Sequence, residues 1–221
     1  MKYAEKEILR YLGHRGQPVD GTTEKLIEKA VFECRKISKP LYRAAVFNAR
    51  DGQFENCPVK LEGDAVKKYL SGARKACIMA ATLGAEIERE ISRREYKDMT
   101  YSVILDAAAT QFIEEFCDKA QAEIEEKLKG ENLYGKPRFS PGYGDLPISL
   151  QPQFLEAAGA RGIGLYCTEN FILTPRKSVT AIIGFFEKEQ NTVVNNCLGC
   201  NMRGECDYGT PPEPTVLSEK I

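Results

Sequence analysis

Arg138-Phe-Ser-Pro-Gly-Tyr-Gly-Asp-Leu-Pro147 is the most informative stretch of this 221-residue chain. It is rich in turn-forming residues and contains one fixed cation and one tyrosine. Arg138 can hold a carboxylate through two parallel hydrogen bonds. Gly142 and Gly144 let a ligand approach the main chain closely, and Tyr143 between them can place its ring or hydroxyl against that ligand. These features suit a small zwitterion that carries a purine, but a plain surface loop of Gly and Pro has the same composition.

Composition limits the class of protein. Hydrophobic residues make up 43% of the chain and charged residues 29%, as in a soluble globular protein of one large or two small domains. The net charge of −1 gives no electrostatic reason to expect binding to nucleic acid or to an anionic membrane. No apolar run approaches the roughly 20 residues of a membrane-spanning helix. Met1-Lys-Tyr-Ala-Glu-Lys lacks the apolar core of a signal peptide, so we expect a cytoplasmic protein.

Hydrophobic periodicity and turn signals divide the chain into helical and extended segments. The predicted helices cover residues 3–12, 20–40, 63–71, 85–130 and 150–158. The predicted strands cover residues 42–48, 54–61, 76–83, 161–165 and 179–188. One apolar stripe with a spacing near four runs along the long helical region: Tyr101, Leu105, Ala108, Phe112, Phe116, Ala120, Ile124 and Leu128. The small side chains at 107–109 would let another element pack closely.

The order of these elements favours an α+β fold with a mainly antiparallel sheet, because no regular βαβ alternation is present. No Gly-x-Gly-x-x-Gly turn follows a predicted strand, so a Rossmann methyltransferase or dehydrogenase is not indicated. The phosphate-binding Gly-x-x-x-x-Gly-Lys motif is also absent from the sequence. His14, the one histidine, lies at a predicted helix end, and a site built from two histidines is therefore excluded.

The Arg-x-x-Pro-Gly-Tyr sequence at residues 138–143 resembles the motif of the activation domain of cobalamin-dependent methionine synthase. Downstream, Leu165-Tyr-Cys-Thr-Glu-Asn-Phe-Ile-Leu-Thr-Pro-Arg-Lys-Ser-Val179 resembles the family's second signature, a strand leading to a Pro and a Ser-Val pair. The helix predicted over 104–128 resembles the long helix before the motif. The resemblance covers residues 1–190, most strongly over 100–185, and leaves residues 191–221 as a C-terminal segment.

The resemblance implies a C-shaped domain with a twisted antiparallel sheet and a shallow groove for S-adenosylmethionine. In that family, the domain rescues methionine synthase whose cobalamin has oxidised to cob(II)alamin. S-adenosylmethionine supplies a methyl group while a flavodoxin- or ferredoxin-type donor supplies an electron. This chain has no room for the homocysteine, folate and cobalamin modules. We therefore expect a methyltransferase-associated protein that acts on a separate corrinoid-binding methionine synthase or methyltransferase.

The resemblance also assigns residues. Arg138 is expected to hold the methionine carboxylate of the ligand. Tyr143 is the expected catalytic residue and is expected to lie near the sulfonium and its methyl group. Its ring would stabilise the sulfonium there by about 1 kcal/mol through a cation–π interaction. Glu114 corresponds to an acidic residue near the ligand on the long helix, although a solvated helix-face carboxylate is an equal interpretation. Ser178 and Val179 are expected to shape the groove wall. Backbone groups expected to meet the adenine and the polar atoms of the ligand belong to Ser140, Pro141, Gly142, Tyr143 and Gly144.

The chain departs from the family pattern near the second signature. Lys177 precedes the Ser-Val pair where a small residue is usual, and Thr180 follows it where a Ser is usual. No tyrosine follows this strand at the corresponding place, which Asn191 occupies. These departures leave the geometry of methyl donation open.

Cys197, Cys200 and Cys206 form a C-x2-C-x5-C cluster that the typical family domain lacks. Two cysteines separated by two residues in a Gly-containing turn are common in metal sites. Three thiolates fit an iron–sulfur cluster with one open position, or zinc completed by another residue. Reduced surface thiols or a redox-labile pair are the alternatives. The other five cysteines are scattered, and Cys34 and Cys117 fall on apolar helix stripes, which predicts buried thiols.

Two other functions fit the same residues. One is a module that binds S-adenosylmethionine or a corrinoid protein without chemistry. The other is a small electron-transfer protein in which the cysteine cluster is the active part.

Overall fold

The computed structural model describes residues 3–189. Its helices are α1 (Tyr3–Tyr11), α2 (Gly21–Ile37), α3 (Asp64–Leu70), α4 (Ala85–Glu95), α5 (Met99–Leu128) and α6 (Gln151–Ala158). Its strands are β1 (Leu41–Arg50), β2 (Gln53–Phe54), β3 (Lys75–Thr82), β4 (Tyr134–Gly135), β5 (Tyr166–Cys167), β6 (Leu173–Thr174) and β7 (Ser178–Phe186). Short 3₁₀ turns lie at Lys129–Glu131, Ile148–Leu150 and Ala160–Ile163.

Five strands form one antiparallel sheet in the order β2-β1-β3-β7-β4. β3 is the central strand and pairs along its whole length with β1 and β7; Cys77, for example, faces Val46 on one side and Ile183 on the other. β5 and β6 form a separate hairpin. The prediction of an α+β fold with a mainly antiparallel sheet is confirmed.

The sheet is covered on both faces. Side chains at Cys77, Met79 and Ile183 face α1, α2, α4 and α5 in one apolar core. Side chains at Ile78 and Ile182, which alternate with them, face α3 and α6 in a second core. Because β3 is buried on both sides, its sequence is a continuous apolar run rather than an alternating one.

α5 is 30 residues long and lies against the face of the sheet that carries Cys77, Met79 and Ile183. Most of the predicted stripe is buried, but Phe112 and Phe116 are only partly buried against the core. Ala107, Ala108 and Ala109, which were expected to let another element pack closely, are buried, and α5 contacts both β3 and β7. Among residues 3–189, no helix combines the length and apolarity needed to cross a membrane.

Several predicted element boundaries were wrong. The helical region 85–130 is two helices, because Asp98 caps a new helix by accepting a hydrogen bond from the Tyr101 amide. The strand predicted at 161–165 is a 3₁₀ turn enclosed by Gly159 and Gly164, both with positive φ.

Two further differences lie in short extended segments. Pairing in the strand predicted at 54–61 stops after Phe54, and Asn56 then adopts a positive φ that breaks the ladder. The second signature is not one strand but the β5–β6 hairpin, which leads through Pro175 to β7.

Candidate functional site

The motif loop, residues 138–147, starts as an extension of β4 along the edge of β7. The Lys136 amide donates to the Gly184 carbonyl at 2.9 Å, and Phe139 exchanges two backbone hydrogen bonds with Ile182 at 2.9 and 2.8 Å. The loop then turns away. Within residues 3–189, no strand pairs with the first part of β7 (178–181) on this side, so the backbone ladder ends there.

The loop folds into consecutive tight turns. The Tyr143 amide donates to the Ser140 carbonyl at 3.0 Å, and the Gly142 amide donates to the Leu146 carbonyl at 2.8 Å. Gly142 and Gly144 have φ values of 93° and 54°, in the region that favours glycine. The amides of Gly142 and Tyr143, which were predicted to meet a ligand, thus already have partners within the loop.

The two aromatic residues of the loop form a continuous row of rings with one tyrosine of α3. Tyr69 in α3 packs against Phe139 with ring centroids 5.2 Å apart, and Phe139 meets the Tyr143 ring edge-on at 6.3 Å. The Tyr69 hydroxyl donates to the Pro137 carbonyl at 2.8 Å and accepts from the Gly184 amide at 3.0 Å. Tyr69 is therefore a structural support, whereas Tyr143, which is 57% exposed, presents its ring at the surface.

Arg138 points towards α5 and is held there by acidic side chains. Its Nη2 donates to Glu114 Oε2 at 3.1 Å, its Nη1 lies 2.8 Å from Asp118 Oδ1, and Nη1 also lies 3.4 Å from Gln121 Oε1. The side chain of Arg138 is only 17% exposed. Burial acts to lower the pKa of Arg138, but the hydrogen bond to Asp118 and the surrounding negative charges have a larger effect. The pKa of Arg138 is therefore raised above its ordinary value. The guanidinium is thus a fixed cation with two carboxylate partners.

Lys177 makes a second contact between β7 and the same helix. Its Nζ lies 2.8 Å from Asp106 Oδ1 and donates to Thr110 Oγ1 at 2.8 Å. The helix positions 106, 110, 114 and 118 follow each other at intervals of four and share one face of α5. This row, the motif loop and residues 178–181 of β7 define the surface that we call the candidate groove.

Ser178 and Val179 stand at the Lys177 end of β7. The Ser178 hydroxyl donates to the Pro175 carbonyl at 2.6 Å and lies 2.8 Å from Thr82 Oγ1. Val179 packs against the core under α5. Both positions are consistent with residues that shape a wall, and the Ser178 hydroxyl is already engaged in holding the turn before β7.

The structure brings Arg138 and Glu114 together and places Tyr143 on the same loop as Arg138. Sequence reasoning missed Asp118 and Gln121 as partners of Arg138. The spacing of Asp118, one helical turn after Glu114, is a signal that could have identified it. Lys177 was recognised only as a departure from the family pattern, whereas the structure shows that it connects β7 to α5.

The predicted metal ligands Cys197, Cys200 and Cys206 lie outside the described residues, and their role stays a prediction. Within the described part of the chain, no group of three or more His, Cys, Asp or Glu side chains is arranged to hold a metal ion. Cys34 and Cys117 are buried as expected, and burial raises the pKa of these two thiols to about 11 and about 12.

Comparison with known proteins gives a likeness of fold. No protein-family model matches the chain, and no curated protein matches its sequence. Among solved structures, the chain is similar to a crystal structure of the MetH reactivation domain bound to AdoHcy, with a TM-score of 0.63 and 16% sequence identity. The match covers 85% of this chain and 77% of that one. The chain thus has the fold of a MetH reactivation domain.

Proposed function

We propose that this protein binds S-adenosylmethionine in the candidate groove and uses it to support reductive methylation of cob(II)alamin on a separate corrinoid protein. One observation carries the proposal. The guanidinium of Arg138 is only 17% exposed, is paired with two carboxylates and lies beside the part of β7 with which no described strand pairs on that side. The fold is shared with a MetH reactivation domain whose crystal structure contains AdoHcy. The Arg-x-x-Pro-Gly-Tyr motif supports the same assignment.

The chemistry of the groove suits an amino acid that carries a sulfonium. Arg138 offers planar N–H donors to a carboxylate, and Glu114 and Asp118 offer acceptors to an ammonium group. Tyr143 presents a π face to a sulfonium cation at the rim of the loop. The ribose and adenine would then lie along β7 near Ser178 and Val179. Ser140, Pro141, Gly142 and Gly144 would enclose the ligand on the loop side.

The proposed reaction balances with a reductant from outside the protein. One electron from a flavodoxin- or ferredoxin-type donor and one methyl cation from S-adenosylmethionine convert the partner's cob(II)alamin to methylcobalamin. S-adenosylhomocysteine leaves with the sulfur lone pair. The protein's own contribution is to bind the donor and orient its methyl group towards the partner. Tyr143 is the residue that we assign to contact with the sulfonium.

The first test is calorimetric titration with S-adenosylmethionine. We expect saturable one-site binding, and we expect Arg138→Ala to weaken it by roughly 2–3 kcal/mol, because the charged hydrogen bonds to the ligand carboxylate are lost. Arg35→Ala is the matched control, since Arg35 donates to Glu115 on α5 at 2.8 Å outside the groove. Equal affinity in wild type and Arg138→Ala would refute the assigned pose.

A second experiment separates a reactivation protein from a binding module without chemistry. A methionine synthase that carries cob(II)alamin but lacks its own activation domain is mixed with this protein, titanium(III) citrate and methyl-labelled S-adenosylmethionine. We expect label to reach the corrinoid only when this protein is present. Binding without label transfer would favour the binding module.

A further inference from the structure

The outer edge of β1 is unpaired over most of its length. β2 pairs with β1 only at Ala49 and Arg50, while β3 occupies the other side of β1. The Asn48 carbonyl accepts a hydrogen bond from the Glu55 amide at 2.8 Å, so the backbone groups of Asn48 face the outer side. Because backbone groups alternate in direction along a strand, the N–H and C=O groups of residues 42, 44 and 46 face outwards too. Within residues 3–189, these groups have no backbone partner on that side.

This edge lacks the features that usually protect an edge strand from pairing with another chain. Such features are prolines, bulges and charged side chains placed along the edge. The register between β1 and β3 runs without a bulge from Leu41 to Asn48, and this segment contains no proline. Its one charged residue, Arg43, lies against the turn at Ala160–Ile163, since a Cβ built at Gly162 would be 3.5 Å from Arg43 Nη2.

The side chains beside the edge differ between the two faces of the sheet. Tyr42 packs against the core under α5, and Ala44 and Val46, which share its face of the strand, are exposed, Val46 by 42%. Phe47 packs against the core under α3 and α6, and Arg43 is exposed on that face. Among residues 3–189, no carboxylate forms an ion pair with Arg43. The edge therefore has small apolar groups on one face and an unneutralised cation on the other.

We propose that the outer edge of β1 binds an extended segment of a partner protein by strand addition, and that apolar and acidic residues alternate in this segment. The outward backbone groups of residues 42, 44 and 46 hydrogen bond to the added strand, and side-chain contacts select it. Its apolar residues cover Ala44 and Val46, and its acidic residues lie across from Arg43. A second copy of β1 fits this edge less well, because residues 41–48 contain no Asp or Glu and would bring a second Arg43.

This docking edge is separate from the candidate groove. β1 and β7 lie on opposite sides of the central strand β3, and the motif loop follows β4 on the far side of β7. A partner segment added to β1 therefore leaves the groove free for its ligand. The inference does not depend on which ligand the groove binds.

The first test measures the fluorescence anisotropy of a fluorescein-labelled peptide, Val-Glu-Val-Glu-Val-Glu-Val, titrated with the full-length protein. We expect saturable binding, and we expect the matched peptide with Lys in place of Glu to bind about tenfold more weakly. Arg43→Gln should weaken binding of the Glu peptide about threefold, and added salt should weaken it in wild type. The control is Arg89→Gln, which removes an exposed cation paired with Glu86 on α4 and should change nothing.

A second pair of variants tests whether the backbone of the edge is used. Ala44→Pro removes an outward N–H and leaves the hydrogen bonds to β3 in place, so it should weaken peptide binding about tenfold in a folded protein. Thermal unfolding followed by circular dichroism checks the fold. Val46→Glu places a carboxylate on the apolar side of the edge and should weaken binding of the Glu peptide as well, which keeps the test decisive if Ala44→Pro does not fold.

Hydrogen exchange followed by NMR identifies what covers the edge in the protein alone. We expect the amides of residues 42, 44 and 46 to exchange fast, those of 43, 45 and 47 to exchange slowly, and the Glu peptide to slow the first set. Slow exchange of the first set in a free monomer would show that another segment of the same chain covers the edge. Slow exchange in a dimer that Ala44→Pro dissociates, as measured by light scattering, would assign the edge to a second copy. Either result, or no binding of the Glu peptide, overturns the proposal and leaves the test of S-adenosylmethionine binding unaffected.

Discussion

Asp145 attaches the motif loop to a helix that lies 80 residues earlier in the chain. Its carboxylate accepts hydrogen bonds from the amides of Asp64 at 2.6 Å and Ala65 at 3.0 Å, at the first turn of α3. Gly63 precedes this helix, and a Cβ at that position would collide with the Asp145 side chain. The cap of α3 is thus supplied by the loop that carries Arg138 and Tyr143.

Asp145→Ala should lower the free energy of unfolding by about 1–2 kcal/mol, because the first amides of α3 lose their acceptor. It should also weaken S-adenosylmethionine binding, since the loop is no longer fixed to α3. Urea unfolding and calorimetric titration measure the two effects. Glu62→Ala, an exposed carboxylate next to the same turn, is the control and should change neither quantity. If Asp145→Ala had the same free energy of unfolding as wild type, the cap would contribute nothing to stability.

At the scale of elements, α5 can lie close to the sheet in its middle because residues 107–109 there are buried alanines. Ala109 is fully buried, and α5 contacts both β3 and β7. This close packing sets the distance over which the side chains of Arg138 and Lys177 reach their partners at positions 106, 110, 114 and 118 of α5. A larger side chain at the interface would push α5 away from β7 and widen the candidate groove.

Ala109→Leu should destabilise the protein by about 1–3 kcal/mol through overpacking. Ala122 lies on the exposed face of the same helix, so Ala122→Leu should stay within about 0.5 kcal/mol of wild type. Urea unfolding measures both variants. Equal stability of the two would mean that α5 is not packed as tightly as its contacts indicate.

The helices and turns also show which elements can be predicted from the sequence. The stripe on α5 was predictable because a helix repeats its contacts every three or four residues. The turn at Ala160–Ile163 was not predictable, because a run of four residues between two glycines is too short to show a period that separates a strand from a 3₁₀ turn.

At the scale of the whole molecule, three thiols are sealed inside the core. Burial raises the pKa of Cys34 from its ordinary value of 9.0 to about 11, and raises the pKa of both Cys77 and Cys117 to about 12. The unfolded chain therefore loses these protons at a lower pH than the folded protein does. The stability that the neutral thiols contribute is complete below pH 9 and is lost as the pH rises from 9 towards about 12.

We expect the free energy of unfolding to fall between pH 8 and pH 10. In Cys34→Ala this fall should be about 1 kcal/mol smaller than in wild type, because one of the titrating thiols is gone. Val66→Ala, which truncates a fully buried side chain without a titrating group, should lower stability equally at both pH values. Urea unfolding of the three proteins at both pH values makes the comparison, and an identical fall in wild type and Cys34→Ala would contradict it.

The amino-acid sequence by itself determined the helical segments except the break between α4 and α5, together with the central strand β3, the fold class and the composition of the motif loop. These follow from local periodicity and from residue types that need no knowledge of distant neighbours. Only the tertiary structure decided that Asp118 partners Arg138, that Lys177 reaches Thr110 and that Asp145 caps α3. The physical reason is that these contacts join residues 20, 67 and 81 positions apart. Sheet register and the packing of α5 bring such residues together, and neither leaves a local signal in the chain.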